Sequence, residues 1–329
     1  MKLTTPVTLP TDLPKLDHRQ TLVLMGSCFA SGMGDKLRAA KFNCTVNPYG
    51  VLYNPLSIAT SLHELLEGRI YTADDLYEAD GLWHSPMHHG SFSTPSAERT
   101  LQLINLAGRR GHEALLHADR LLLTFGTAYV YCDRATGRVV GNCHRLPSDR
   151  FERRRLTVDE VVTRCSATLS RLLSLRPELQ VVMTVSPVRH LRDGLHDNQL
   201  SKSVLLLAAD QLCRANSRVH YFPAYEIVMD ELRDYRYYAD NLTHPSSLAI
   251  EYVWQRFTEA SFSEPTRRLA ETCTAIRLTL DHRPLHPDTP AYDRLLKQTL
   301  DKIAELQRQY PYLDFETEIA QCHHTALTR

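Results

Sequence analysis

Three short apolar runs punctuate the chain, at Thr21 to Met25, Leu121 to Phe125 and Val181 to Val185. Each has the length and unbroken hydrophobicity of a strand buried on both faces, as in a parallel sheet. The segments between them carry a helical period. Thr157 and Glu160 form a capping box, followed by one stripe of Val158, Val161, Val162, Cys165, Leu169, Leu172 and Leu173. A second helix is expected from about Asn198 to Asn216, with Leu200, Val204, Leu207, Ala208 and Leu212 on one side. Strands alternating with helices predict an α/β fold, a three-layer α/β/α sandwich with a mainly parallel sheet, whose ligand sites lie at the carboxyl ends of the strands. Ser27, Gly126 and Ser186 then share one sheet edge.

Two stretches interrupt this alternation. Residues 71–93 are rich in Tyr, Asp, His and Gly, and residues 129–142 read as a hairpin turning at Arg134 to Gly137. We expect one domain over residues 1–262 and a C-terminal extension over 263–329. The extension consists of an extended linker, Arg283-Pro284-Leu285-His286-Pro287, and an amphipathic helix from Pro290 to Tyr310 that serves as an appendage to the core or as a homodimer contact.

Composition narrows the function classes. The 329 residues include 43% hydrophobic ones, enough for a substantial core, and Lys+Arg balances Asp+Glu at 38 each. No global field therefore favours nucleic acid or an anionic membrane, and the one basic run, Arg150 to Arg155, reads as a solvated loop and helix entrance. No apolar window is long enough to span a bilayer and the first residues lack a signal-peptide pattern, so a soluble, cytoplasmic protein is expected. The eight cysteines are scattered without a CxxC pair, as free thiols would be. His84, His88 and His89 cluster in the first interruption and Cys322-His323-His324 near the C-terminus, but neither has a recognised four-ligand spacing. No metal or cofactor is expected.

Candidate chemistry begins at Ser27, where a buried strand ends and a helix starts, so that free helix N–H groups can hold a developing oxyanion. Taken alone, Gly-Ser after a strand is more often a turn and helix N-cap than a nucleophile. A partner is offered by Asp240-Asn241-Leu242-Thr243-His244-Pro245-Ser246: a His before Pro is held extended, and a nearby acid can orient its ring. Cys28 is the rival nucleophile. Adjacent side chains diverge, so only one can face the site, and Cys28 is expected to pack beneath the turn.

These residues carry a resemblance. Gly26-Ser27-Cys28-Phe29-Ala30 is the signature of the GSCFA family within the SGNH/GDSL hydrolase superfamily, and the similarity extends through Asn47 to Pro55, Gly126-Thr127-Ala128, Asn142-Cys143-His144, Ser186 to His190, Ser201-Lys202, Tyr221 to Pro223 and His244-Pro245-Ser246. The resemblance implies a flavodoxin-like sandwich with Ser27 as nucleophile, His244 as base, and Gly50 beside Ser27 as a backbone oxyanion donor. It departs from the superfamily in two places. The third block has Ala128 where an Asn normally donates, leaving Asn142 or Asn54 to supply the amide. Three residues before His244 stands Asn241 rather than Asp, leaving Asp240, Asn241 or a backbone carbonyl to orient the ring.

The activity so implied is a serine ester hydrolase acting through an acyl-enzyme on Ser27, with a small acyl group and a small-molecule or carbohydrate alcohol. An acyltransferase, or a binding module on a degenerate hydrolase fold, are the alternatives. Asn54, Gly126, Thr127, His144, Arg189 and His190 are the candidate substrate contacts, from their placement at the strand ends. Arg189 could instead pair internally with Asp193, Glu226 or Asp230.

Overall fold

The computed structural model describes residues 4–282, 284–285 and 288–327, together with their side chains up to His323. Met1 to Leu3 and, in the expected linker, Arg283, His286 and Pro287 lie outside the described residues, as does the side chain of His324.

Each predicted apolar run forms a strand. These are β1 (Thr21–Gly26), β5 (Arg120–Phe125) and β9 (Gln180–Val185), joined by β2 (Asn43–Val46) and β10 (Val219–Tyr221) in one sheet. The order is β10-β9-β5-β1-β2 and every pairing is parallel. Counting only these strands from the β2 side, the order is 2-1-3-4-5, the flavodoxin-like arrangement. The runs are continuous because both faces are covered. Val23, Met25, Leu121, Leu123, Val181 and Met183 pack on one side, where α2 (Pro55–Leu66), α3 (Ala97–Leu116), α4 (Val158–Leu175) and α5 (Gly194–Ala215) lie. Leu22, Leu24, Leu122 and Val182 pack on the other, against α1 (Cys28–Ala39) and α7 (Ser247–Ser261). The result is a three-layer α/β/α sandwich with C-terminal helices. The capping box of Thr157 and Glu160 starts α4 as expected.

From β1 the chain runs to β2 on one side and then returns to β5 on the other, so the switch point lies between β1 and β5. There Gly26 takes φ +143° and an added Cβ would stand 2.2 Å from Thr124 O. Only glycine lets the two strands close this tightly.

Residues 77–79 (β3) and 82–84 (β4) form a small hairpin within the first interruption. The second interruption is larger than expected: β6 (Tyr129–Asp133) pairs with β7 (Val139–Val140) through the predicted turn, and also with β8 (Phe151–Arg155). The basic run is thus a strand and not a solvated loop. Its side chains face partners that composition alone does not reveal, Arg154 lying near Glu160 at 2.6 Å and Arg153 pairing with Asp193.

After α6 (Ala224–Glu226) and α7, the chain forms α8 (Glu264–Asp281), α9 (Pro290–Gln309) and α10 (Glu316–Leu327). These helices bury a cluster of their own, with Leu269, Cys273, Ile276, Leu296, Ile303, Phe315 and Cys322.

Candidate active site

Ser27 is the N-cap of α1, its Oγ accepting from Phe29 N at 3.3 Å. It is only 1% exposed. Its own N–H extends the sheet ladder, donating to Thr124 O at 3.2 Å, so the expected oxyanion donor is already engaged. Cys28, the first residue of α1, is partly exposed rather than packed beneath the turn. Its N–H reaches no other residue's acceptor among the described residues, and its sulfur faces that N–H and the N–H of Phe29. The two neighbours have exchanged their expected places.

The N–H of Gly50 is engaged as well. It closes a turn onto Asn47 O at 2.7 Å, φ is +75°, and a Cβ would meet His89 Cβ at 2.2 Å, so a turn requires this glycine. Asn54 caps α2, accepting from Ser57 N at 2.8 Å and donating to Ser57 Oγ at 3.0 Å, which commits its amide to the fold. Asn142 differs: Oδ1 accepts from His144 N at 2.9 Å, while Nδ2, at the cleft wall, bonds no partner among the described residues.

His244 stands exposed in the loop before α7, and that loop is tied to the end of β9 by Arg189 N–H donating to Thr243 O at 3.0 Å. Asn241 orients the ring. Its Oδ1 accepts from Thr243 N at 3.0 Å and His244 N at 3.1 Å, so it is Nδ2 that meets His244 Nδ1, at 2.9 Å. Nδ1 must then accept, and the neutral ring carries its proton on Nε2. Placed this way His244 offers a donor, whereas a base would need a bare Nε2. Asp240, the candidate acid, is exposed, and the ring hydrogen bond found among the described residues is to Asn241.

Tyr53, Thr127, Asn142, His190, Arg192 and His244 contribute to one cleft of about 750 Å³ at the carboxyl ends of β5 and β9, whose far wall is the sheet of β6, β7 and β8. Neither Ser27 nor Cys28 is among its lining residues. Gly126 and Thr127 donate their N–H groups to Tyr53 O, at 2.7 and 3.0 Å, so they shape the floor and have no free donor there. His144 is buried with Nε2 on Ser85 O at 2.8 Å, which makes it part of the wall's framework. Arg189 lies over the Tyr238 ring at 4.2 Å and forms none of the three ion pairs expected of it; Arg153 takes Asp193 instead. His190 donates N–H to Asn198 Oδ1 at 2.9 Å, while its Nε2 is buried without a partner. Burial lowers its pKa to about 4, helped by the nearby positive charge of Lys202.

Sequence reading passed over Lys202 as a site residue. It lies on the buried face of α5 with Ser201, Leu205, Ala209 and Leu212, and is itself 1% exposed. Nζ donates to Gly126 O and Ser186 O at 2.6 Å each, joining the ends of β5 and β9. Burial lowers its pKa to about 7, against a raising effect from Cys28. A lysine within an apolar helical stripe was the available signal.

Fold and cleft together define a flavodoxin-like α/β protein with a cleft at the carboxyl ends of its strands. The GSCFA family profile matches residues 21–257, and the chain belongs to that family; the GSCFA domain protein C-terminal domain matches residues 273–326. Two solved structures show distant likeness. A protein from Streptococcus pneumonia, provisionally described as a platelet activating factor, is 12% identical with a TM-score of 0.35 over 72% of this chain and 83% of its own. The acetyl xylan esterase Est2A of the rumen bacterium Butyrivibrio proteoclasticus is 11% identical with a TM-score of 0.35 over 74% of this chain and 64% of its own. No curated protein matches the chain. No helix among the described residues is long and apolar enough to cross a membrane.

Proposed function

We propose that this protein is an ester hydrolase working by acyl transfer to the turn between β1 and α1. The observation that carries this reading is His244, held by Asn241 at the rim of a cleft at the carboxyl ends of β5 and β9, whose residue Tyr53 binds the N–H of Gly126, which packs against Ser27. The turn offers two side chains able to attack an acyl carbon, Ser27, chosen by the family resemblance, and Cys28. Cys28 N–H and Asn142 Nδ2 are the uncommitted donors for the oxyanion. Tyr53, Tyr129 and Tyr131 line the cleft with aromatic surface suited to a sugar, although the Tyr129 ring already carries the Arg153 guanidinium at 4.0 Å. Arg145 and Arg192 have no carboxylate partner among the described residues and favour an alcohol that carries negative charge. A small acyl group such as acetyl on a carbohydrate fits this lining.

The test is turnover by purified protein of p-nitrophenyl esters of increasing acyl length and of acetylated sugars, with the shortest acyl groups expected to react fastest. Product formed only when a sugar acceptor is added would make the protein a transferase. The buried hydroxyl of Ser27 favours one further reading, a binding module on this fold. Calorimetric binding of acetylated sugar without turnover of any ester would establish it.

A further inference from the structure

We propose that the turn of residues 143–146 is the selectivity element of the cleft, presenting Arg145 together with Arg192 to a carboxylate carried directly on the sugar ring. The proposal rests on the hydrolase reading and gives its alcohol a chemical class, an O-acetylated acidic sugar.

The turn is built against the preferences of its residues. Leu146 N–H donates to Cys143 O at 2.9 Å, and the two residues between them, His144 and Arg145, both have positive φ, +46° and +61°. A hydrogen-bonded turn with both central residues left-handed is the type I′ form, which Asn and Gly adopt easily and larger side chains do not. Asn-Gly would reverse the chain here at lower energy, so strain of this kind points to work done by the side chains. His144 has its work: it is buried, Nε2 donates to Ser85 O at 2.8 Å, and the ring lies 4.5 Å from that of His84. It pins the turn to the wall. Arg145 has no such anchor. It is exposed at the cleft and pairs with no carboxylate among the described residues.

The charge of the cleft points the same way. The chain as a whole balances 38 basic against 38 acidic residues, yet the cleft is lined by four arginines, Arg145, Arg153, Arg189 and Arg192, against one aspartate, Asp193. Arg153 takes that aspartate, and Arg189 lies over the Tyr238 ring at 4.2 Å. Arg145 and Arg192 remain, two planar forks that match a carboxylate. Burial raises the pKa of the Cys143 thiol to about 11 against the opposing charge of Arg192, so that charge lies near the residue that opens the turn carrying Arg145.

Tyr131 sets where the charge of the ligand must sit. Its ring centre is 5.5 Å from the Arg153 guanidinium and 5.7 Å from that of Arg192. A sugar packed on this ring brings its own ring substituents to Arg192. A carboxylate bonded to the pyranose itself meets that demand, with no flexible tail to order.

The deciding experiment compares kcat/KM of the purified wild-type chain for an O-acetylated methyl galacturonoside and for the matching methyl galactoside, which exchanges only the carboxylate for a hydroxymethyl group. A preference of roughly a hundredfold for the acidic sugar is expected, about tenfold for each of two charge-assisted hydrogen bonds, and it should fall as salt is raised. Arg145→Gln and Arg192→Gln should each cut this ratio by about tenfold, whereas damage to the fold lowers both rates and leaves the ratio. A wild-type ratio near one would overturn the proposal and leave the hydrolase reading intact. So would a larger preference for the matching galactoside 6-phosphate, which would make phosphate the anion. If no ester turns over, the hydrolase reading falls, and calorimetry with galacturonate and galactose then decides the site: equal affinities overturn it. Arg145→Gly relieves the positive φ and should hold or raise the denaturant midpoint while the ratio collapses. A lowered midpoint would mean that this arginine serves the fold, and would overturn its part in selectivity.

Discussion

The two sides of the cleft are held by different means. On the β1–α1 side, the sheet does most of the fixing: Ser27 N–H continues the ladder onto Thr124 and Leu52 N–H binds Gly26 O at 3.0 Å, with one side chain, Asn47, accepting from Gly26 N at 2.8 Å. On the far side the loops of residues 141–146 and 239–245 are held outside the sheet, by isolated backbone bonds such as Gly141 N–H to Pro86 O and Arg189 N–H to Thr243 O, by the side chains of Asn142 and Asn241, by the Arg153–Asp193 pair, and by left-handed backbone at His144, Arg145 and Leu242. The first side can open only with the sheet. The second can rearrange locally, which suits a wall that must admit and release substrate.

Damage to the first side should therefore appear as lost stability, and damage to the second as lost activity. The largest effect is expected from Gly26→Ala, which drives a Cβ into Thr124 O and should cost about 3 kcal/mol or more in chemical denaturation, or abolish folding. A drop below about 1 kcal/mol would mean the strand ends can separate. Next comes His244→Ala, expected to lower ester hydrolysis by about a hundredfold while shifting stability by less than about 0.5 kcal/mol, because the ring is exposed. Unchanged hydrolysis would remove His244 from the chemistry. Asn241→Ala should cost on the order of tenfold, acting through ring orientation. Its signature is a fall in kcat with little change in KM.

The smallest effect is a pH slope. Burial lowers the pKa of the Lys202 amine to about 7 from the usual 10.5, so between those values the unfolded chain holds a proton that the folded chain lacks. Stability from this group then rises with pH across that window, by at most about 1.4 kcal/mol per unit. Comparing wild type with Lys202→Met from pH 7 to 10 isolates the slope from the buried phenols and thiols that act oppositely; identical slopes would place the amine's titration outside this window.

The sheet was legible because burial on both faces writes itself as unbroken apolar runs, and the α4 cap because its two side chains bond each other. The site was legible as a place more than as a set of roles. Ser27 and Cys28 differ by one step along the chain, and which of them is buried depends on how far β1 extends before α1 begins. The donors of Ser27 and Gly50 were claimed by Thr124 and Asn47, partners that adjoin them only after folding. Asn241 could be placed near His244 from spacing, but the direction of its amide is set by two backbone N–H groups that spacing does not show. The strand at Phe151–Arg155 escaped notice because alternating Arg and Glu on a half-exposed sheet looks like a solvated segment when its ion-pair partners lie elsewhere.

Helix α1 has two ends, and both are occupied. Its first residue is Cys28; just past its last stands Lys41, whose ammonium pairs with Glu318 of α10 and lies 5.0 Å from the Phe315 ring centre. A helix of 12 residues is a stiff rod of about 18 Å. The C-terminal helices therefore grip the far end of the same rod that carries the thiol. Anything that tugs on α10 has a handle on the site, with no need to reach into the cleft.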